Sequence, residues 1–135
     1  MDDRGVTPQG AIELSTVLLI HDRLATTMLL FMAAVGIWGL VAFLRGGALS
    51  GNLAGTFVIG QVLIVAQVVA GVAMVVEGSE PSTPVHYLYG LTAILVLPFA
   101  WTYFKDRDPR QALLIYSLLA LFVAGLAIRG MTTGG

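Results

Sequence analysis

Four long apolar stretches, separated by three short polar connections, constrain what this chain can fold into. The stretches lie at about residues 17–44, 53–76, 85–104 and 111–128. A helix needs about 20 apolar residues to cross the hydrocarbon core of a bilayer. Only 11% of the residues are charged, whereas soluble domains carry about 25%. We therefore predict an all-α fold, an integral membrane antiparallel four-helix bundle that forms a single domain over residues 1–135.

The beginning of the chain decides where the first helix starts. Its first ten residues, MDDRGVTPQG, are acidic and lack the positive start and cleavage site of a signal peptide. We therefore expect the first apolar stretch to be retained. Residues 11–20 are open to two interpretations. They either extend the first helix outward or lie along the membrane interface, with Ser15 as the helix cap.

The charges in the connections predict an orientation. One side of the predicted bundle carries Arg45, Lys105, Arg107 and Arg110. The other side carries Arg4, Arg23 and Arg129 together with six acidic residues. By the positive-inside rule, both termini are expected on the non-cytoplasmic side of the cell (inner) membrane. The predicted aromatic belts are Trp101 and Tyr103 inside, and Tyr87 and Tyr89 outside.

Composition also excludes several kinds of function. The net charge of −1 leaves no basic surface for nucleic acid. Because the chain has no cysteine, disulfides, thiolate zinc sites, iron–sulfur clusters and thiol nucleophiles are excluded. The sequence shows no nucleophile–base set, no phosphate-binding loop and no HExxH motif. Bond-making catalysis is therefore not indicated, and no catalytic residue is predicted.

The two histidines are the residues most suggestive of chemistry. His21 and His86 each stand near the start of an odd-numbered apolar stretch, so both are expected near the outer face of the bundle. Ionisable side chains in or near hydrocarbon are costly and usually functional. Small residues lie about one turn further along each helix, namely Ala25 and Gly90. We therefore predict that the histidines hold a flat, bulky group between two helices.

Haem suits this arrangement, because neutral imidazole is a common axial ligand of its iron. His21 and His86 are the predicted metal ligands of a haem, most simply of the b type. Arg23 is a candidate partner for the propionates through charge-assisted hydrogen bonds. Helix faces with small residues are predicted to line the same pocket. They contribute Gln67, Gly71 and Gly90.

Simpler interpretations of the same residues stay open. Histidines at an interface also contact lipid headgroups or cap helices, and small residues are common wherever transmembrane helices touch. Gln67 can serve as an interhelical hydrogen-bonding group. Met28 and Met32 beside His21 could suggest Cu(I), although methionine on a helix face more often packs.

Three segments resemble the haem A synthase family. HDRLATTMLLFMAAVG is similar to its histidine-bearing helix, QVLIVAQVVAGVAMVVEG to the helix that follows, and VHYLYGLTAILVL to its second histidine helix. That family consists of two four-helix halves, each with a histidine pair near the outer face. The resemblance covers roughly residues 13–104 as one half-unit, and it implies that His21 and His86 occupy the haem-ligand positions.

This chain departs from that family in ways that affect the expected function. It supplies one half, Asp22 separates His21 from Arg23, and Leu18 stands where the catalytic half has a glutamate. The resemblance therefore implies haem binding for electron transfer rather than haem A synthesis. The expected partners are the bilayer, a quinol, and either a larger respiratory or photosynthetic membrane complex or further copies of the chain. The alternative is a cofactor-free accessory subunit that packs against larger membrane proteins; a small transporter is disfavoured.

Overall fold

The computed structural model describes residues 7–134, which form four helices and no strand. The helices are α1 (Pro8–Leu44), α2 (Gly51–Val76), α3 (Val85–Phe104) and α4 (Pro109–Gly134). The prediction of an all-α four-helix bundle is confirmed at this level. Three residues used for the orientation prediction, Asp2, Asp3 and Arg4, lie outside the described residues.

Local capping sets the ends of the helices. The Thr7 side chain accepts a hydrogen bond from the Gly10 amide at 3.0 Å, and Pro8 occupies the first turn. Residues 11–20 therefore extend α1 outward, and the interpretation of Ser15 as the cap is wrong. Gly46 and Gly78 follow α1 and α2 with φ of 87° and 91°, the left-handed conformation that commonly ends a helix.

The helices form a ring in chain order. The most extensive contact is between α1 and α4, followed by α1 with α2 and α3 with α4. Among neighbouring helices, α2 and α3 have the smallest contact. Consequently α1 and α3 lie across the bundle from each other. Hydrogen bonds join the connecting segments to α4 at both ends of the bundle. Leu49 donates to the Pro109 carbonyl at one end, and the Ser82 hydroxyl donates to the Thr133 carbonyl at the other.

Glycines permit the closest helix contacts. A Cβ atom at Gly39 would overlap the Ser117 hydroxyl, and one at Gly36 would lie 2.8 Å from the Leu121 side chain. At Gly60 it would lie 2.6 Å from the sulfur of Met32. These glycines therefore fit α1 against α4 and α2, which is the usual role of small residues between transmembrane helices.

The Arg110 side chain links the start of α4 to the end of α1. Its guanidinium donates to the carbonyls of Phe43 and Gly47 at 2.9 and 3.0 Å. It also stacks on the Phe43 ring, with 4.1 Å between the guanidinium carbon and the ring centroid. The carbonyls at the end of α1 thus gain a charged donor.

The outer surface is strongly apolar, while much of the core consists of small residues. Large side chains such as Leu30, Ile37, Val62 and Phe99 are more than half exposed. Alanines, by contrast, occupy many of the buried positions on α4: Ala112, Ala120, Ala124 and Ala127. All four helices are long and apolar enough to cross a membrane.

Candidate functional site

The two histidine rings face each other across the bundle. His21 lies on α1 and His86 on α3, and their ring centroids are 6.1 Å apart with an angle of 66° between the planes. Because successive helices are antiparallel, α1 and α3 run in the same direction. Both rings therefore lie at the end of the bundle that carries the α2–α3 connection. Both side chains are partly buried.

His21 is turned toward α2. Its Nε2 lies 3.4 Å from the side-chain nitrogen of Gln67. A Cβ atom at Gly71 would lie 3.2 Å from its Cε1 atom, so the absence of a side chain there leaves room for the ring. Its Nδ1 atom is buried and has no hydrogen-bond partner within residues 7–134. The side-chain nitrogen of Gln67 can only donate, so Nε2 accepts and the proton of the neutral ring lies on Nδ1. A buried N–H without a partner is unusual.

His86 rests on the end of α4. Its Nδ1 lies 3.4 Å from the Thr133 hydroxyl oxygen. Cβ atoms placed at Gly130 and Gly134 would lie 3.7 Å and 2.7 Å from its Cε1 atom. These two glycines, one helical turn apart, form a shallow seat for the imidazole. Nε2, the second ring nitrogen, makes no hydrogen bond among residues 7–134.

A cavity of about 560 Å³ adjoins both rings. This volume lies within the range typical of small-molecule and cofactor sites, about 300–1,000 Å³. Its walls are mainly aliphatic, and the cavity reaches exposed side chains of α2 and α3, among them Val72, Val75 and Leu91. The cavity therefore opens to the surface between α2 and α3, the neighbouring helices with the smallest contact.

The predicted site residues divide into two groups. His21, Gln67, Gly71, His86 and Gly90 all line this cavity. A Cβ atom at Gly90 would meet nothing within 4 Å, so this position faces open space.

Arg23 stands apart from that group. It is exposed and is not among the lining residues. A propionate contact would therefore have to form outside the cavity, and the role of Arg23 stays a prediction. Met32 is fully buried against Gly60 at the α1–α2 contact, which is a packing position. Met28 lines the cavity.

The contribution of α4 to the site was not predicted from the sequence. Thr133, Gly130 and Gly134 lie beyond the predicted end of the fourth span at 128, in a segment whose glycines and threonines resemble a loop. The signal that was present is the spacing of Gly130 and Gly134, a small-xxx-small pattern that allows another group to approach a helix closely.

Within residues 7–134 no three His, Cys, Asp or Glu side chains come together in a group that could hold a metal ion. Haem needs fewer protein ligands, because the macrocycle supplies the other four nitrogens and the protein supplies only axial ligands. The two histidines match the number of protein ligands that a six-coordinate haem would need.

Comparison with known proteins does not add a family to these observations. The sequence matches no protein-family model, and searches of curated proteins and of solved structures find no significant match. The resemblance to the haem A synthase family stays a prediction.

Proposed function

We propose that this protein is a membrane-embedded haem-binding protein in which His21 and His86 are the axial ligands of one b-type haem. The observation that carries the proposal is the 6.1 Å between the ring centroids. A metal–imidazole bond is about 2 Å long, so two imidazoles on opposite sides of one metal have centroids roughly 6 Å apart. The separation in this protein fits that requirement.

The residues around the rings also fit the group. Nδ1 of His21 has no hydrogen-bond partner among residues 7–134, and neither has the side-chain oxygen of Gln67. When that oxygen accepts a hydrogen bond from Nε2–H, Nδ1 carries the lone pair that iron needs. An apolar cavity lined by glycines of α2, α3 and α4 adjoins both rings. When bound, haem would supply reversible one-electron transfer, with its potential set by axial-ligand identity, hydrogen bonding and burial. The chain's own part is to hold the two imidazoles in register and to exclude water with aliphatic side chains.

The apolar surface supports insertion in a membrane, and in this proposal it is the cell (inner) membrane. On α3 the exposed residues Leu91, Leu95 and Phe99 form an apolar middle, with exposed Tyr87 before it and Trp101 after it. Aromatic residues are enriched at both membrane interfaces. In this proposal both termini lie on the non-cytoplasmic side, so the haem accepts or donates electrons near the outer face. The partner would be a quinol or a larger membrane complex.

The primary test is a haem titration of the detergent-purified protein. We expect saturation at one haem per chain, with an intense Soret band and sharp visible bands on reduction. The control is the double variant His21→Ala/His86→Ala, which should give only the broad spectrum of free haem. A stable, colourless wild-type protein that takes up no haem would contradict the proposal and favour a cofactor-free accessory subunit.

A change at Gly90 tests whether the haem occupies the cavity. Because a side chain at this position meets open space, Gly90→Phe should fold normally and project into the cavity. Overpacking costs about 1–3 kcal/mol, and each 1.4 kcal/mol corresponds to about tenfold in affinity. We therefore expect haem binding to weaken by about 5- to 150-fold, measured by the same titration.

The matched control is Gly125→Phe. Gly125 is exposed on α4, does not line the cavity, and also has nothing within 4 Å of an added Cβ atom. We expect wild-type haem affinity for this variant. Equal affinities for the two variants would place the bound haem outside the cavity.

A further inference from the structure

The hydroxyl of Thr133 has one proton, and its neighbours indicate where that proton goes. Thr133 Oγ1 donates to the Arg129 carbonyl at 2.9 Å, the usual bond of a helical threonine to the preceding turn. A second carbonyl, that of Gly130, lies at 3.4 Å. With its proton directed at backbone carbonyls, the oxygen toward His86 Nδ1 offers a lone pair. The 3.4 Å contact is therefore one in which the ring nitrogen donates.

We propose that Thr133 is a positioning residue that holds His86 in the tautomer with the proton on Nδ1, leaving the lone pair on Nε2 to bind iron. In a neutral imidazole one nitrogen is a donor and the other an acceptor, and the hydrogen bond at one nitrogen sets the state of the other. Metal-bound histidines nearly always donate their second N–H to such a partner. The role toward iron rests on the proposed function, whereas the tautomer assignment does not.

The end of α4 is built to hold the ring and the hydroxyl together. Gly130 and Gly134 lie three residues before and one residue after Thr133, and they make room for the imidazole. A Cβ atom at Gly134 would lie 2.7 Å from Cε1 of His86. The Ser82 hydroxyl donates to the Thr133 carbonyl at 2.6 Å, which joins this end of α4 to the segment before His86. The Thr133 hydroxyl, which accepts, and the His86 ring, which donates, are thus held close together by the contact between Ser82 and the end of α4.

The chain offers a closely matched control. Thr132 is exposed, and its hydroxyl also donates to the Arg129 carbonyl, at 2.8 Å. Thr132→Val and Thr133→Val therefore remove the same kind of helix bond and add the same β-branched side chain. Only the second change removes the acceptor facing His86. Thr133→Ser keeps the hydroxyl and should restore whatever Thr133→Val loses.

The tautomer is tested without haem. Nitrogen NMR of the ¹⁵N-histidine-labelled, haem-free protein distinguishes protonated from unprotonated ring nitrogens, and a His21→Gln variant assigns the signals. For wild type, Thr133→Ser and Thr132→Val we expect His86 to be protonated at Nδ1. For Thr133→Val we expect a mixture of tautomers. Wild-type His86 with its proton on Nε2, or a Thr133→Val spectrum equal to wild type, would overturn the proposal.

The role toward iron is tested in the haem-loaded protein. Loss of an outer partner of a metal ligand typically weakens binding about 10–100-fold. We expect Thr133→Val to weaken haem binding about tenfold and to raise the midpoint potential, because the imidazole becomes a poorer electron donor. Thr133→Ser and Thr132→Val should match wild type. Wild type without haem uptake would refute the proposed function alone, whereas normal uptake with an unchanged Thr133→Val potential would refute the positioning role.

Discussion

Replacing either His21 or His86 with alanine is expected to remove the two-histidine haem spectrum completely. Each variant retains one imidazole. The other lining residues that can bind haem iron are methionines and tyrosines, among them Met28 and Tyr89, and their ligation would give a spectrum different from that of two histidines. Gln67 is an amide and a poor ligand for iron. The measurement is the visible spectrum of the oxidised and reduced protein after haem addition, with the bound fraction determined after gel filtration.

A change at His86 that keeps a ligating atom distinguishes a role in binding iron from a role in packing. His86→Met keeps a ligating atom, and methionine–histidine ligation raises the potential of haem iron relative to two histidines. We expect His86→Met to bind haem with a higher midpoint potential, where His86→Ala binds weakly or not at all. Full haem binding by both alanine variants, with the wild-type spectrum, would exclude the histidines as ligands.

Replacing Gly39 with leucine is expected to destabilise the bundle more than other single changes at its glycines. A Cβ atom at this position would overlap the Ser117 hydroxyl and lie 3.5 Å from the Leu113 side chain. Both of these residues are fully buried on α4, so neither can move into solvent. Overpacking costs about 1–3 kcal/mol, and we expect a loss near the upper end of that range in the free energy of unfolding.

The control for helix propensity is Gly55→Leu. Gly55 is exposed on α2 and has nothing within 4 Å of an added Cβ atom. Its replacement should leave the unfolding free energy equal to or above that of wild type, because glycine is unfavourable in a helix interior by about 1 kcal/mol. Unfolding by SDS in mixed micelles, followed by circular dichroism, gives both values. Equal stability of Gly39→Leu and wild type would show that α1 and α4 do not pack closely at Gly39.

Hydropathy predicted the number and type of the elements and several of their ends: α3 covers the predicted residues 85–104, and α1 and α2 end at 44 and 76 as predicted. It did not predict the start of α1 or the end of α4. Apolar content identifies the part of a helix suited to lipid, whereas helix ends depend on caps. Thr7 and Pro8 start α1 well before residue 17, and α4 continues to Gly134 rather than 128. The short connections are what made the antiparallel arrangement predictable, and with it the placement of His21 and His86 at one end.

The contacts within the site were less predictable. The sequence places small residues on several helix faces but does not distinguish their roles. Gly71 and Gly90 line the cavity, whereas Gly39 and Gly60 lie at helix contacts. That difference depends on the order of helices around the ring and on side-chain rotamers. Thr133 was missed for the same reason. The spacing of Gly130 and Gly134 allows another group to approach α4 closely, but nothing local to residues 129–134 indicates that this group is a histidine on another helix.

The most direct test of the account is electron paramagnetic resonance of the ferric, haem-loaded protein. If His21 and His86 bind one iron from opposite sides, the spectrum should show a single low-spin centre, with hyperfine coupling to two histidine nitrogens after ¹⁵N-histidine labelling. A high-spin signal, or coupling to the nitrogen of one histidine only, would contradict that arrangement.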